Sequence, residues 1–189
     1  RAKLLGFLKL YEEEVSLLLW TAALLFVIRS SGIILNNYAE TAFLKRYGVE
    51  YLPIVNMLNA IATFFVTGFL TAFMGKLPGA KLLSYVFIFS GISVTLIRIL
   101  IPFGFELLYP LLFMLKSQFE LLQAMLFWNI CNDIFNTRQS KRLFPLLTAG
   151  GVIGLILGSF GTPYFAKLFQ MDNLLYLYLS TTLLGAGIV

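Results

Sequence analysis

Residues 15–43 read VSLLLWTAALLFVIRSSGIILNNYAETAF. A run this long and this apolar exceeds the about 20 residues an α-helix needs to cross a hydrocarbon core of about 30 Å. Yet Arg29 stands near its middle, followed by Asn36, Asn37 and Glu40. A cation at the centre of a membrane helix costs roughly 2.5–3.5 kcal/mol. Arg29, Gly32, Asn36 and Glu40 follow one another at steps of three and four, so they share one helical face. The stretch therefore predicts a membrane-spanning helix with a polar stripe turned towards an interior rather than towards lipid.

The rest of the chain repeats this pattern. Further apolar segments run over residues 52–74, 82–101, 107–131, 143–169 and 173–189, the last cut off at Val189. Gly48 and Pro53, then Gly75, Pro78 and Gly79, then Pro102 and Gly104 separate the first four. Asn136, Thr137 and Pro145 mark the turn into the fifth. Of 189 residues, 59% are apolar and 12% charged, with a mean hydropathy of +0.88. A soluble domain sits near 45–50% and about 25%. The composition thus excludes a soluble enzyme domain and, equally, intrinsic disorder. No period-2 alternation points to a β-barrel.

The chemistry is bounded as tightly. Histidine is absent and Cys131 is the one cysteine, so imidazole catalysis, a disulfide within the chain and a thiolate cluster are all excluded. No nucleophile–base arrangement and no phosphate-binding loop can be assembled, so neither an enzyme nor a cofactor or metal site is expected. The net charge of +5 is placed at segment ends, which disfavours a nucleic-acid surface. Arg1, Lys3, Lys9, Lys76, Lys81, Arg138, Lys141 and Arg142 collect on one side, against Lys45, Arg46, Arg98 and Lys167 on the other. The richer side is expected in the cytoplasm, N-terminus included. Residues 1–14 read as an amphipathic lead-in on the inner membrane surface.

Three stripes draw attention. Arg29 and Asn36 in the first segment face the interior, as do Lys116, Glu120 and Gln123 in the fourth. The second carries Asn56, Asn59, Thr63 and Thr67. One reading has Arg29 and Lys116 offering positive charge to an anionic solute in a water-filled cavity. Asn36, Asn56 and Gln123 then hydrogen-bond the solute, while Glu120 positions Lys116 or couples to a cation. The other has Lys116 and Glu120 neutralising each other, and the second stripe acting as interhelical glue. In the fifth segment Gly150, Gly154 and Gly158 form two small-xxx-small steps, the mark of close helix packing, static or sliding.

Six spans with both ends inside match one half of a major facilitator fold, in which two three-helix repeats are inverted relative to each other. The run Phe127-Trp128-Asn129-Ile130-Cys131-Asn132-Asp133-Ile134, with Lys141-Arg142-Leu143-Phe144-Pro145-Leu146-Leu147 after it, resembles the ATP/ADP translocase family of nucleotide transporters. Arg138 and Gln139 stand where that family tends to carry acids. The resemblance implies an all-α six-helix membrane bundle in a bacterial inner membrane, the N-terminal half of a carrier for an anionic, nucleotide-like solute. The expected partner is a C-terminal six-helix half of the same protein, and the charges themselves suggest that Asp133, Arg138, Lys141 and Arg142 form a cytoplasmic cluster that favours one gate state. Two other functions fit the same pattern: a transporter-like sensor or scaffold for appended soluble domains, and a lipid translocator.

Overall fold

A computed structural model describes residues 12–189. The lead-in expected over residues 1–14 falls almost wholly outside them. The described residues are almost all helical, with no strand. Six α-helices follow in order: α1 (Glu12–Tyr47), α2 (Leu52–Met74), α3 (Gly79–Leu100), α4 (Leu108–Ile134), α5 (Thr137–Phe169) and α6 (Leu174–Ile188). Short 3-10 turns precede α2 and α6 and follow α3. Gly48 and Gly104 take positive φ, 83° and 79°, at the turns after α1 and α3. A side chain is strained in that region, which explains the residue type at both corners.

Four helical stretches are long and apolar enough to cross a membrane: Glu14–Tyr47, Val49–Met74, Gly79–Phe103 and Thr137–Leu168. Six were expected, and α4 and α6 fall outside this set. α4 has 27 residues but places Lys116, Gln118, Glu120 and Gln123 within about two turns, which lowers its hydropathy. Of α6 the sequence holds 15 residues, Leu174–Ile188, against the about 20 of a span.

The fifth helix also begins earlier than its expected start at Leu143. Asn136 caps it: the Gln139 amide donates to Asn136 Oδ1 at 3.0 Å, and the Asn136 amide donates to Gln139 Oε1 at 3.1 Å. This reciprocal capping box holds a first turn that the apolar run does not include. Pro145, expected at the turn, lies inside the helix.

Helices successive in sequence run antiparallel, up and down, so α1 and α5 lie parallel, as do α2 and α4. α1 packs on α4, α5 and α6; α4 packs on α1, α2 and α3; and α3 packs on α6. Exchanging α1 with α4, α2 with α5 and α3 with α6 leaves this set unchanged. The departure is a light contact of α5 with α6. One core cluster, around Leu24, Leu83, Phe87, Leu126, Phe127 and Leu143, fills the end where α1 begins. A second, around Leu35, Tyr38, Val94, Leu112 and Tyr178, fills the far half. α2 is the outlier, buried only at Val55 and Leu70. Phe64, Phe65 and Phe69 on α2 and Phe160 on α5 are about 70–80% exposed, an apolar exterior of a kind that water-soluble monomers avoid.

Candidate functional site

α1 and α4 meet along an antiparallel seam that carries the charges. Lys116 Nζ lies 2.7 Å from Glu40 Oε1 and donates to Asn36 Oδ1 at 2.5 Å. The same ammonium sits 4.3 Å from the centre of the Phe113 ring. Lys116 is 7% exposed and Glu40 48%. The cation is thus held inside the protein while its counter-ion stands at the opening. One turn along α4, Glu120 Oε1 accepts from Arg29 at 3.3 Å, with side chains 47% and 32% exposed.

These contacts correct one expectation. Lys116 and Glu120 share a face of α4, but each pairs across the seam with a different residue of α1. Side chains four apart on one helix lie within reach, yet the α1 partners stand closer to each head group. Glu120 therefore does not position Lys116; Glu40 and Asn36 do. Glu40 was read from the sequence only as part of a stripe. Its signal was the opposite charge at the one α1 position a turn beyond Asn36.

Next to Lys116 opens a cavity of about 420 Å³ between α1, α2 and α4. Asn36, Glu40, Asn56, Phe113, Lys116 and Ser117 line it. Three of the six expected solute contacts, Asn36, Asn56 and Lys116, are brought together here. Arg29 and Glu120 lie beside it on the same seam, outside its lining. Gln123 does not belong to it: 1% exposed, it donates to Ser90 Oγ of α3 at 3.4 Å. α4 is flanked by α1, α2 and α3, so residues two turns apart on one face meet different neighbours. Gln118, unremarked in the sequence, is buried against α2, donating to Asn59 Oδ1 at 2.6 Å and Thr63 Oγ1 at 2.9 Å. The α2 stripe thus divides: Asn59 and Thr63 fasten α2 to α4, and Asn56 faces the cavity.

The basic end of α5 divides in the same way. Arg142 reaches across to Glu14 at the start of α1, 2.9 Å from Oε1 and 3.1 Å from Oε2. Gln139 donates to the same carboxylate at 3.0 Å. Asp133, Arg138 and Lys141 are exposed, with no ion pair among the described residues. The four expected gating residues therefore do not form one cluster. Glu14 sits where α1 and α5 both begin, and helix N-termini favour a carboxylate.

The glycines of α5 face α1. A Cβ on Gly154 would stand 2.8 Å from the Phe26 carbonyl oxygen, and one on Gly158 would collide with the Ile33 side chain. At Gly150 a Cβ would meet Ala22 at an ordinary 3.7 Å. Among the described residues no group of acids and cysteine is placed to hold a metal ion. No protein-family model, curated protein or solved structure matches the chain.

Proposed function

We propose that the chain is half of a secondary transporter that moves an anionic solute across a membrane by alternating access. The observation that carries this reading is Lys116. A cation is buried at mid-helix in an apolar bundle, held by Asn36 and the half-open Glu40, beside a polar cavity. Ionised groups in such positions are costly and mark solute or ion paths by default. An arriving carboxylate or phosphate takes the place of Glu40 on Lys116, and Asn36 and Asn56 supply its hydrogen bonds. Glu40 stands at the opening and swings away without unpacking the core.

The helix exchange symmetry supports the finer reading, two inverted three-helix repeats as in one half of a major facilitator fold. On that reading α4 and α6 also cross the membrane. The polar character of α4 is tolerated because α4 faces an interior. Arg29 and Glu120 at mid-helix and Glu40 two turns from the end of α1 are part-exposed and require a second bundle or water over them, since lipid cannot solvate them. A C-terminal six-helix half of the same protein fits that need. The basic asymmetry supports a cytoplasmic N-terminus, and the ATP/ADP translocase resemblance supports a bacterial inner membrane and a nucleotide-like solute. A sensor or scaffold without transport is the second reading. It is favoured by Lys116 being already neutralised in this arrangement.

Uptake of labelled nucleotides and simple organic phosphates into proteoliposomes of the full-length protein separates the two. The transporter reading expects saturable uptake, lost in Lys116→Leu and in the double variant Lys116→Leu with Glu40→Leu, although the double variant folds. Uptake that survives in the folded double variant removes Lys116 from the path.

A further inference from the structure

The cavity beside Lys116 has a counterpart at the other end of the bundle. A groove of about 740 Å³ opens between α4 and α5, lined by Trp128, Asn132, Phe144, Pro145 and Thr148. On α4, Trp128 and Asn132 stand 92 residues after Asn36 and Glu40 of α1 (128 minus 36, 132 minus 40). On α5, Phe144 and Thr148 stand 92 residues after Leu52 and Asn56 of α2 (144 minus 52, 148 minus 56). Pro145 falls on Pro53 in the same register. Four of the five lining positions, all but Pro145, thus have their equivalents in the lining beside Lys116.

Contacts far from either cavity obey the same register. Tyr47 donates to the Glu106 carbonyl at 2.9 Å, and their equivalents, Gln139 and Glu14, are joined at 3.0 Å. Phe43 and Val55 are buried together, as are Phe135 and Leu147, which lie 92 residues on (135 minus 43, 147 minus 55). The place of the Arg29–Glu120 contact maps to within one residue of itself, onto the apolar Leu121 and Ile28, since 28 pairs with 120 and 29 with 121. The α1–α4 crossing therefore lies on the axis that relates the two halves. Rotation about that axis keeps the charged face on itself and swaps its ends. Both cavities consequently open on one face, with the Arg29–Glu120 pair between them.

Their chemistry differs. The equivalent of Lys116 is Leu24 (116 minus 92), fully buried, so the groove has no cation in its floor. In place of an amide and a carboxylate it has an indole and an open amide. Trp128 and Phe144 stand 5.1 Å apart with their rings tilted by 56°. Lys141 lies one turn before Phe144 and Pro145 on the same face of α5 and is exposed. An aromatic wall with hydrogen-bonding groups and a cation at the rim suits a flat ring joined to a negative charge.

Resting on the transporter reading, we infer that this groove is a second solute station on the transport face, and that it takes a planar ring of the anionic solute. The Lys116 cavity takes charge at one end of the face, and the groove takes the ring at the other. A solute equipped with both has a holding point on each side of the Arg29–Glu120 pair.

The 189 residues hold two tryptophans, Trp20 and Trp128, so in the full-length protein the Trp128 signal is read as the difference between the Trp20→Phe protein and the same protein carrying Trp128→Phe as well. The probes are adenosine monophosphate and ribose 5-phosphate, which differ only in the base, added to the full-length protein carrying Trp20→Phe in phosphatidylcholine nanodiscs. Saturable quenching of Trp128 by the first and none by the second is expected. Asn132→Ala, through a lost hydrogen bond, and Thr148→Phe, by filling the groove, should each weaken that quenching about tenfold. Equilibrium dialysis of labelled adenosine monophosphate is run in parallel, on the same protein and on Lys116→Leu. Retention that needs Lys116 while Trp128 stays unquenched overturns the second station and leaves the transporter reading standing. Absence of any retention overturns both. Equal quenching by dodecyl phosphate, which has no ring, makes the groove a lipid site and overturns the inference. Size-exclusion profiles show whether Thr148→Phe folds, and Asn132→Ala carries the test where it does not.

Discussion

α1 touches α5 and α4 through two seams built on the same spacing and opposite principles. Towards α5, Gly150, Gly154 and Gly158 strip away side chains until backbone meets backbone, and Ser30 Oγ donates to the Gly154 carbonyl at 3.3 Å. Towards α4, Arg29, Asn36 and Glu40 reach out with long polar groups and leave an open volume of about 420 Å³. A backbone contact at close packing has one arrangement, because any slide makes a clash or a void. A seam of flexible charged side chains has several, because each head group can exchange its partner. The difference assigns rigidity to the α1–α5 pair and exchange to the α1–α4 pair. A carrier needs both on one helix.

The largest effect belongs to the rigid seam. Gly154→Leu places a branched side chain against the Phe26 backbone, 2.8 Å from its carbonyl oxygen already at Cβ. Overpacking costs about 1–3 kcal/mol where side chains yield, and more where backbone must. We expect loss of the monodisperse folded protein on size exclusion. Gly150→Ala, whose Cβ would meet Ala22 at 3.7 Å, should be tolerated. Normal yield of Gly154→Leu would dissolve the contrast between the seams.

The buried half of the charged seam comes next. Lys116→Leu removes a cation that is 7% exposed and frees Glu40, which is 48% exposed and can turn to water. Glu40→Leu does the reverse and leaves the buried ammonium with Asn36 alone. Removing one partner of a buried pair costs about 3–5 kcal/mol. The asymmetry in exposure predicts that Glu40→Leu is the more damaging single change, and that the double variant melts above it. Thermal unfolding of the two single variants and the double completes the cycle. If Lys116→Leu is the worse, the cavity is drier than its lining implies.

Such asymmetries were only partly legible in the sequence. Periodicity and composition place every helix, since apolar runs and glycine–proline breaks are local signals. The glycine steps of α5 announce close packing for the same reason. Lys116, Asn36 and Asn56 could be named because an ionised or amide group inside an apolar segment is conspicuous wherever it points. Pairing is a property of two helices, and one helix does not carry it. Lys116 was read against Glu120, its neighbour along α4, whereas Glu40 holds it from 76 positions away. Gln123 looked equivalent to Lys116 because spacing gives a face but not which neighbour covers it. The register of 92 was hidden for another reason. Trp128 stands opposite Asn36 and Leu24 opposite Lys116, so positions that match in the fold differ in chemistry.

At the basic end, Glu14 binds α1 to α5 through Arg142 and Gln139. This latch belongs with the rigid seam, since it closes the same pair of helices. Glu14 is 8% exposed, so Glu14→Gln keeps its shape while removing the charge that Arg142 faces. A charge-assisted hydrogen bond of this kind contributes about 1.5–3 kcal/mol. We expect a lower melting temperature with unchanged solute affinity, measured by differential scanning fluorimetry and dialysis. A change in affinity without a change in melting would move the latch from the rigid seam to the exchanging one.

The smallest effect should come from Arg29 and Glu120, and its smallness is informative. Their single contact is 3.3 Å long and both side chains are substantially exposed, 32% and 47%. Exposed pairs contribute about 0–1 kcal/mol, and salt screens them further. In detergent, then, Glu120→Gln and Arg29→Gln should each leave the melting temperature nearly unchanged, with little dependence on salt. That outcome is specific to a face open to water. If a second bundle covers this face in the full-length protein, the same substitutions leave a lone charge in a desolvated contact, and the penalty rises towards that of a buried pair. Melting both variants in the 189-residue chain and in the full-length protein therefore measures what lies over the charged seam. Equal, small shifts in both would mean that nothing dry covers it, and that the exchange proposed for this seam takes place in water.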